Sequence, residues 1–258
     1  MEHLLAIDIG NTNIVLGLYD GQTLASSWRL ATDSERMPDE YAVLMLNLFA
    51  SAGTDPGTVN GCIISCVVPP LLGTFLEVAR SLFGVEPLVV GPGVKTGVRI
   101  RTDNPREVGA DRIANAAAAA RIHGLPAILI DFGTATTFDA ISQEGDYLGG
   151  AIAPGMGLAA EALAAGAAQL HRFEVRFPPA VIGKNTVHAM QSGLVWGYVA
   201  LVEGMIKRMA EELGDSPLVV ATGGLASLVA ESVPAIDKVD PDLTLEGLRI
   251  IYELNQSD

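Results

Sequence analysis

The feature that most constrains this chain is an internal repeat. An apolar run, Leu4-Leu5-Ala6-Ile7, leads into Asp8-Ile9-Gly10-Asn11-Thr12-Asn13 and then a second apolar run, Ile14-Val15-Leu16-Gly17-Leu18. The pattern returns as Ala127-Ile128-Leu129-Ile130, then Asp131-Phe132-Gly133-Thr134-Ala135-Thr136-Thr137, then Phe138-Asp139-Ala140-Ile141. Both copies read as strand, Asp-x-Gly with hydroxyl or amide side chains, strand. Asp8 and Asp131 stand 123 positions apart in a chain of 258, close to half its length. That spacing predicts two similar domains, each opening with the same hairpin.

Between and after the copies, strand and helix patterns alternate. Pro38-Asp39-Glu40 marks the first turn of a helix running to about Ala50. A strand through Cys62 to Val68 meets Pro69-Pro70 and a helical pattern to Phe83, then a short strand at Leu88–Val90. Helices are expected from Pro105 to Arg121 and from Thr186 to Leu213, and a strand at Leu218–Ala221 before Thr222-Gly223-Gly224. Such alternation implies a mainly parallel core with some antiparallel hairpins. The expected domains are 1–114, with the first turn, and 115–258, with the second turn and the glycine pair.

Composition narrows the function classes. A net charge of −14 leaves no basic platform for nucleic acid. Mean hydropathy is +0.36, yet Arg121, His123, Gly124 and Asp131 interrupt the most apolar stretches. A spanning helix needs roughly 20 mostly apolar residues, so none is expected. Met1-Glu2-His3 has no basic region before its apolar run, which predicts no secretory signal. The reading is a cytoplasmic, membrane-free protein. Cys62 and Cys66 lie four residues apart on one strand, about 13 Å, too far for a disulfide, and suit a reduced compartment.

The paired turns have a chemical use. Glycine permits a tight bend in which successive N–H groups face an oxyanion, and Thr and Asn add donors. The aspartate would repel a phosphate directly, so its role is to hold a cation or its water shell. One such turn is commonly structural; two at matched positions point to a phosphate clamp. Ala221-Thr222-Gly223-Gly224-Leu225-Ala226, between a strand and a helix, suits a nucleoside packed against bare backbone. Asp103-Asn104-Pro105-Arg106-Glu107-Val108-Gly109-Ala110-Asp111-Arg112-Ile113-Ala114-Asn115 concentrates charge after an apolar strand. If helical from Pro105, it places Glu107 and Asp111 on one face and Gly109 inside the helix, where glycine costs about 1 kcal/mol relative to Ala. An Asp-Arg pair beside that glycine suits a polar substrate.

The three glycine elements in this order resemble the superfamily of actin, sugar kinases and heat-shock chaperones. That resemblance implies two duplicated actin-like ATPase (ribonuclease H-like) α/β domains with a nucleotide cleft between them. The segment Asp103–Asn115 resembles the substrate motif of type III pantothenate kinases, and the likeness extends along nearly the whole chain. Asp8, Ile9, Gly10, Asn11, Thr12, Asn13, Ile14 and Val15 resemble that family's first phosphate loop, and Asp131–Thr137 its second. Gly149–Gly155 is similar to a glycine-rich stretch near its subunit interface. Ile182-Gly183-Lys184-Asn185-Thr186 with Met190-Gln191-Ser192-Gly193 is similar to a further signature. Thr102 stands where many members carry Tyr.

The resemblance implies transfer of the ATP γ-phosphoryl group to pantothenate, with Asp111 as base. Thr102, Gly109, Ala110, Asp111 and Arg112 would line the pantothenate site. Thr186 would reach it from the neighbouring subunit of a homodimer with shared active sites. Thr134 would contact ATP phosphate, Asp131 would hold a monovalent cation (K⁺ or NH₄⁺), and Mg²⁺ would accompany ATP near Asp8. His3, His123, His171 and His188 lack metal-ligand spacing, Lys184 belongs to no P-loop, and Trp28 and Trp196 read as packing residues. The rivals are an actin-like assembly or regulatory switch and a kinase for another small alcohol, such as a sugar. The acceptor-like segment Asp103–Asn115 disfavours the switch.

Overall fold

The computed structural model describes residues 3–166, 173–214 and 216–256; His171 lies outside them. Its first half runs β1 (His3–Ile9), β2 (Asn13–Asp20), β3 (Thr23–Ala31), α1 (Pro38–Ser51), β4 (Val59–Cys66), α2 (Pro69–Val78) and β5 (Leu88–Val89). There follow β6 (Arg99–Ile100), α3 (Ala110–Ala118), β7 (Ala127–Phe132), β8 (Ala135–Ile141) and β9 (Asp146–Pro154). The chain ends with α4 (Met156–Gly166), α5 (Thr186–Leu213), β10 (Leu218–Thr222), α6 (Ala226–Ala230), β11 (Lys238–Val239) and α7 (Leu243–Gln256).

Two compact units form. One comprises Met1–Arg99, Asp103–Ala118 and Asp242–Asp258; the other comprises Ile100–Thr102 and Ala119–Pro241. Both are discontinuous, unlike the single boundary between residues 114 and 115 expected above. The difference has a packing cause: α7 returns to the first unit and lies on α3 so closely that a Cβ on Gly247 would strike the carbonyl of Ala114. Thr244 Oγ1 also donates to Asn115 Oδ1 at 2.7 Å.

The first unit holds a sheet in the order β3-β2-β1-β4-β5. β1 and β2 pair antiparallel, whereas β1 and β4 pair parallel. Strand alternation sends Leu5, Ile7, Ile9, Cys62 and Ile64 to one face. There they pack with Tyr41, Met45, Phe49, Leu71 and Phe75 of α1 and α2. α3 and α7 cover the other face: Gly17 lies under Leu245 and Gly61 under the Tyr252 ring, 2.7 Å from its Cζ to the would-be Cβ. Arg249 is buried on this side against Glu246 at 3.0 Å and Glu253 at 2.7 Å. Cys62 and Cys66 are both free.

The second unit holds a sheet in the order β11-β10-β7-β8-β9-β6. β7-β8-β9 is an antiparallel meander and β10 pairs parallel with β7. This repeats β1-β2-β3 with β4, so the sequence repeat is also a topological one. Ile128, Ile130, Phe132 and Phe138 pack with Val199, Val202 and Ile206 of α5. No helix among the described residues is long and apolar enough to cross a membrane.

One element differs from the sequence reading. The charged segment is a short 3₁₀ turn at Pro105–Glu107, an extended Val108, and then α3 from Ala110. Glu107 and Asp111 therefore do not share a helical face. Asn104 Nδ2 donates to Glu107 Oε1 at 2.7 Å, which closes the first turn locally. The second begins at Gly109, whose carbonyl accepts from Ile113 N at 3.1 Å.

Candidate functional site

In the first unit the site residues gather at the carboxyl end of a parallel strand pair, the usual ligand position in α/β sheets. Asp8 is the penultimate residue of β1 and lies opposite Ser65 of β4. The turn after it closes through Gly10 N donating to Asn13 O at 3.0 Å, and a Cβ on Gly10 would sit 2.9 Å from that oxygen. Asn11, Thr12 and Asn13 are thereby exposed, while Ile14 returns to the core. Thr32 braces the turn, donating through Oγ1 to Gly10 O at 2.6 Å and through its amide to Thr12 O at 3.0 Å. Nothing in the local pattern around Thr32 signals this role; it arises from the pairing of β2 with β3.

Val67 links this turn to the charged segment. Its amide donates to Ile9 O at 3.0 Å, and its Cγ1 lies 3.6 Å from where a Cβ on Gly109 would sit. That same Cβ would collide with Asp111 Oδ1. Gly109 is thus the residue before the helix that leaves room for the carboxylate, not a glycine inside it. Gly109, Ala110, Asp111 and Arg112 form the half-buried start of α3.

The electrostatics of Asp111 follow from this position. Burial pushes its carboxyl above the ordinary 3.8, because low-polarity surroundings disfavour the charged form. Hydrogen bonds oppose the shift, among them Arg112 N donating to Oδ1 at 2.8 Å, as does the Arg112 charge, but burial prevails. The result is a fixed carboxylate with a raised proton affinity, which suits a general base.

In the second unit, Asp131 is the penultimate residue of β7, the place Asp8 holds in β1. Gly223, at φ +91°, packs so tightly there that a Cβ would be 2.5 Å from Asp131 Oδ1 and 2.7 Å from the Phe132 backbone. Gly155 covers the turn from the other side: its amide donates to Thr134 O at 3.0 Å, and a Cβ would lie 2.9 Å from Thr134 C. Thr134 is exposed at the tip. Asp131, Thr134 and the Gly223 element are therefore brought together. Gly155 has a demand inside the subunit that its place in a glycine-rich stretch did not reveal.

Thr102 and Thr186 lie elsewhere in this unit. Thr102 sits beside Gly149, with its Cγ2 3.8 Å from that would-be Cβ, toward the opposite end of β9 from Gly155. Its Oγ1 is buried and has no hydrogen-bond partner among the described residues, a state that suits a polar ligand. Thr186 is the exposed first residue of α5. Asn185 caps that helix by accepting from His188 N at 2.8 Å. His123 Nε2 meets Asp240 Oδ2 at 2.7 Å, and His3 Nδ1 meets Thr58 Oγ1 at 2.8 Å. Among the described residues no three His, Cys, Asp or Glu side chains converge as a metal cage. A hard divalent cation would then take most ligands from nucleotide phosphates and water.

Because the native state binds the Asp111 proton more tightly than the unfolded chain does, this group withdraws stability as pH rises from 3.8 through its folded value. Asp111→Asn keeps the acceptor for Arg112 N without the buried charge. Urea unfolding should show the variant more stable than wild type at pH 7, with the difference shrinking toward pH 4. Equal or lower stability at pH 7 would refute the buried-charge assignment.

Comparison with known proteins identifies relatives along nearly the whole chain. A family model described as type III pantothenate kinase matches residues 4–208. A type III pantothenate kinase of Roseiflexus sp. (strain RS-1) is 56% identical over 98% of this chain and 100% of its own. That of Moorella thermoacetica (strain ATCC 39073 / JCM 9320) is 55% identical over 98% and 99%. Among solved structures, a conserved Baf family protein from Campylobacter jejuni superposes with TM-score 0.64 at 20% identity, covering 98% of this chain and 100% of that one. A polyphosphate/ATP-glucomannokinase from Arthrobacter sp. strain KM does so with TM-score 0.53 at 17% identity, over 99% and 100%. The structural likenesses establish the actin-like, sugar-kinase fold, and the sequence matches establish more: this chain belongs to the type III pantothenate kinase family.

Proposed function

We propose that, in the ATP-dependent phosphorylation of pantothenate that marks this family, Asp111 is the general base and the two Asp-x-Gly turns handle ATP. The reaction transfers the γ-phosphoryl group to the primary hydroxyl of pantothenate, giving 4′-phosphopantothenate and ADP, the first step toward coenzyme A. The observation that carries the assignment is the half-buried Asp111 carboxylate, held by Arg112 N beside a glycine that leaves it room. The hydroxyl proton passes to Asp111 as the oxygen–phosphorus bond forms and the bond to ADP breaks.

Phosphoryl transfer has a loose transition state, so the protein mainly positions reactants and offsets negative charge. The exposed Asn11, Thr12 and Asn13 and Thr134 contact ATP phosphates, Gly10 shapes the first turn, Asp8 acts through a cation, and Ile9 and Ile14 anchor the flanking strands in the core beside Val15. Gly109, Ala110, Arg112 and Thr102 line the pantothenate site, with the Arg112 guanidinium facing carboxylate or developing phosphate charge. Asp8 suits Mg²⁺ accompanying ATP, since it offers a hard oxygen ligand at a strand end. That ion would neutralise phosphate charge. Asp131, pressed against the Gly223 backbone, suits K⁺ or NH₄⁺. Thr186, exposed at the start of α5, completes the pantothenate site of a neighbouring subunit in a homodimer. The net charge of −14 offers no surface for nucleic acid, and the protein works in the cytoplasm without a membrane partner.

A primary alcohol is a poor nucleophile, and a positioned base contributes about 10²–10⁴-fold. Asp111→Asn should lower kcat by about 10²-fold, near the lower end because proton removal is late in a loose transition state, while calorimetry finds ATP affinity within threefold of wild type. Mixing that chain with an inactive Thr186→Arg chain should restore part of the activity in heterodimers. A loss under fivefold with chemistry rate-limiting would remove Asp111 as base, and a monomeric mass with full activity would remove the shared site.

An uncompensated Asp131 would repel ATP. Replacing KCl by tetramethylammonium chloride at constant ionic strength should therefore abolish most turnover. Full activity in the bulky cation alone would exclude a monovalent ion at Asp131.

A further inference from the structure

Ser65 is fully buried near the end of β4, and its hydroxyl makes no hydrogen bond to any described residue. An unsatisfied buried hydroxyl is costly, and most such groups in folded proteins are paired with protein, ordered water or a bound ion. Its position says what that partner is. Ser65 and Asp8 are direct partners in the parallel β1–β4 ladder, so their side chains rise on the same face of the sheet. Ile7, Ile9 and Ile64 point the other way, into the core under α1 and α2. The face carrying Asp8 and Ser65 is the one covered by α3, whose first turn bears Asp111. One residue beyond the strand, Val67 touches both the Asp8 turn and Gly109.

We propose that Ser65 is a further positioning residue of the nucleotide site, its hydroxyl accepting a hydrogen bond from a water of the hydrated divalent cation that Asp8 holds with ATP. This rests on the reading of Asp8 given above. Mg²⁺ gives up its waters reluctantly and commonly binds through them, so an oxygen acceptor one strand from the carboxylate fits its chemistry. A hydroxyl suits the place because a second carboxylate there would add repulsion toward the phosphates. The glycine and threonine pattern of the turns gives no hint of Ser65, since Gly61–Val68 reads as an ordinary buried strand.

The test compares the full-length wild type with Ser65→Ala and with Ser65→Cys, which keeps the side chain's shape but accepts hydrogen bonds weakly. Three readouts apply: Tm without ligand, Mn²⁺ binding in the presence of a non-hydrolysable ATP analogue by electron paramagnetic resonance, and the MgCl₂ concentration for half-maximal turnover. Both variants should keep or raise Tm, because an unsatisfied hydroxyl is removed. Both should weaken Mn²⁺ binding and raise the half-saturating Mg²⁺ about three- to tenfold, the factor expected for one hydrogen bond. Unchanged Mn²⁺ and Mg²⁺ values in both variants would overturn the role of Ser65, as would a Tm loss in both without a cation effect. If wild type itself binds no Mn²⁺ with the nucleotide, the reading of Asp8 fails and takes the proposal with it. That result is distinct from a wild type that binds and variants that match it.

Discussion

Drawing a carboxylate part-way out of water while keeping it a hydrogen-bond acceptor shapes the way α3 meets the first sheet. The start of α3 must bring Asp111 against the ends of β1 and β4, yet leave space for its oxygen and a backbone donor to meet it. Gly109 supplies the space and Arg112 N the donor. The helix is held in place from behind by α7, which approaches α3 so closely that only glycine is accommodated at position 247. A side chain there would push the two helices apart and move the carboxylate from its place.

The second unit solves a related problem with the same topology. An aspartate again ends the first strand of an antiparallel meander, and a parallel neighbour again delivers backbone beside it. Here the close approach comes from Gly223, whose positive φ excludes most side chains and whose lack of Cβ lets the chain press against Asp131 and Phe132. Two carboxylates in equivalent places therefore have different neighbours: strand β4 and the start of α3 near Asp8, bare glycine backbone near Asp131.

Much of this was legible in the residues because it is local. The repeat at Asp8 and Asp131 depends on chain-neighbour patterns, and it survives as two meanders with matching strand order. The long α5 and the Gly223 turn likewise follow from periodicity and glycine spacing. What was not legible depends on distant pairings. The sequence predicts a helix from Pro105, but the extended Val108 and the room needed by Asp111 delay it to Ala110. The return of α7, the bracing of the first turn by Thr32 and the orphaned hydroxyl of Ser65 exist only once strands and helices from separate parts of the chain meet. The fold alone would not have decided function either, since a polyphosphate/ATP-glucomannokinase shares it. The acceptor-like segment around Asp111 and the family match separate this chain from an actin-like switch.

The proposed transfer of the substrate proton to the Asp111 carboxylate is open to direct measurement. The most direct measurement is the single-turnover rate of phosphoryl transfer from ATP to pantothenate as a function of pH, for wild type and Asp111→Asn. Proton transfer to Asp111 makes the wild-type rate fall on acidification with an inflection above 3.8, the ordinary carboxylate value, and removes this limb from the slower variant. An inflection at or below 3.8, or the same limb in both proteins, would contradict it.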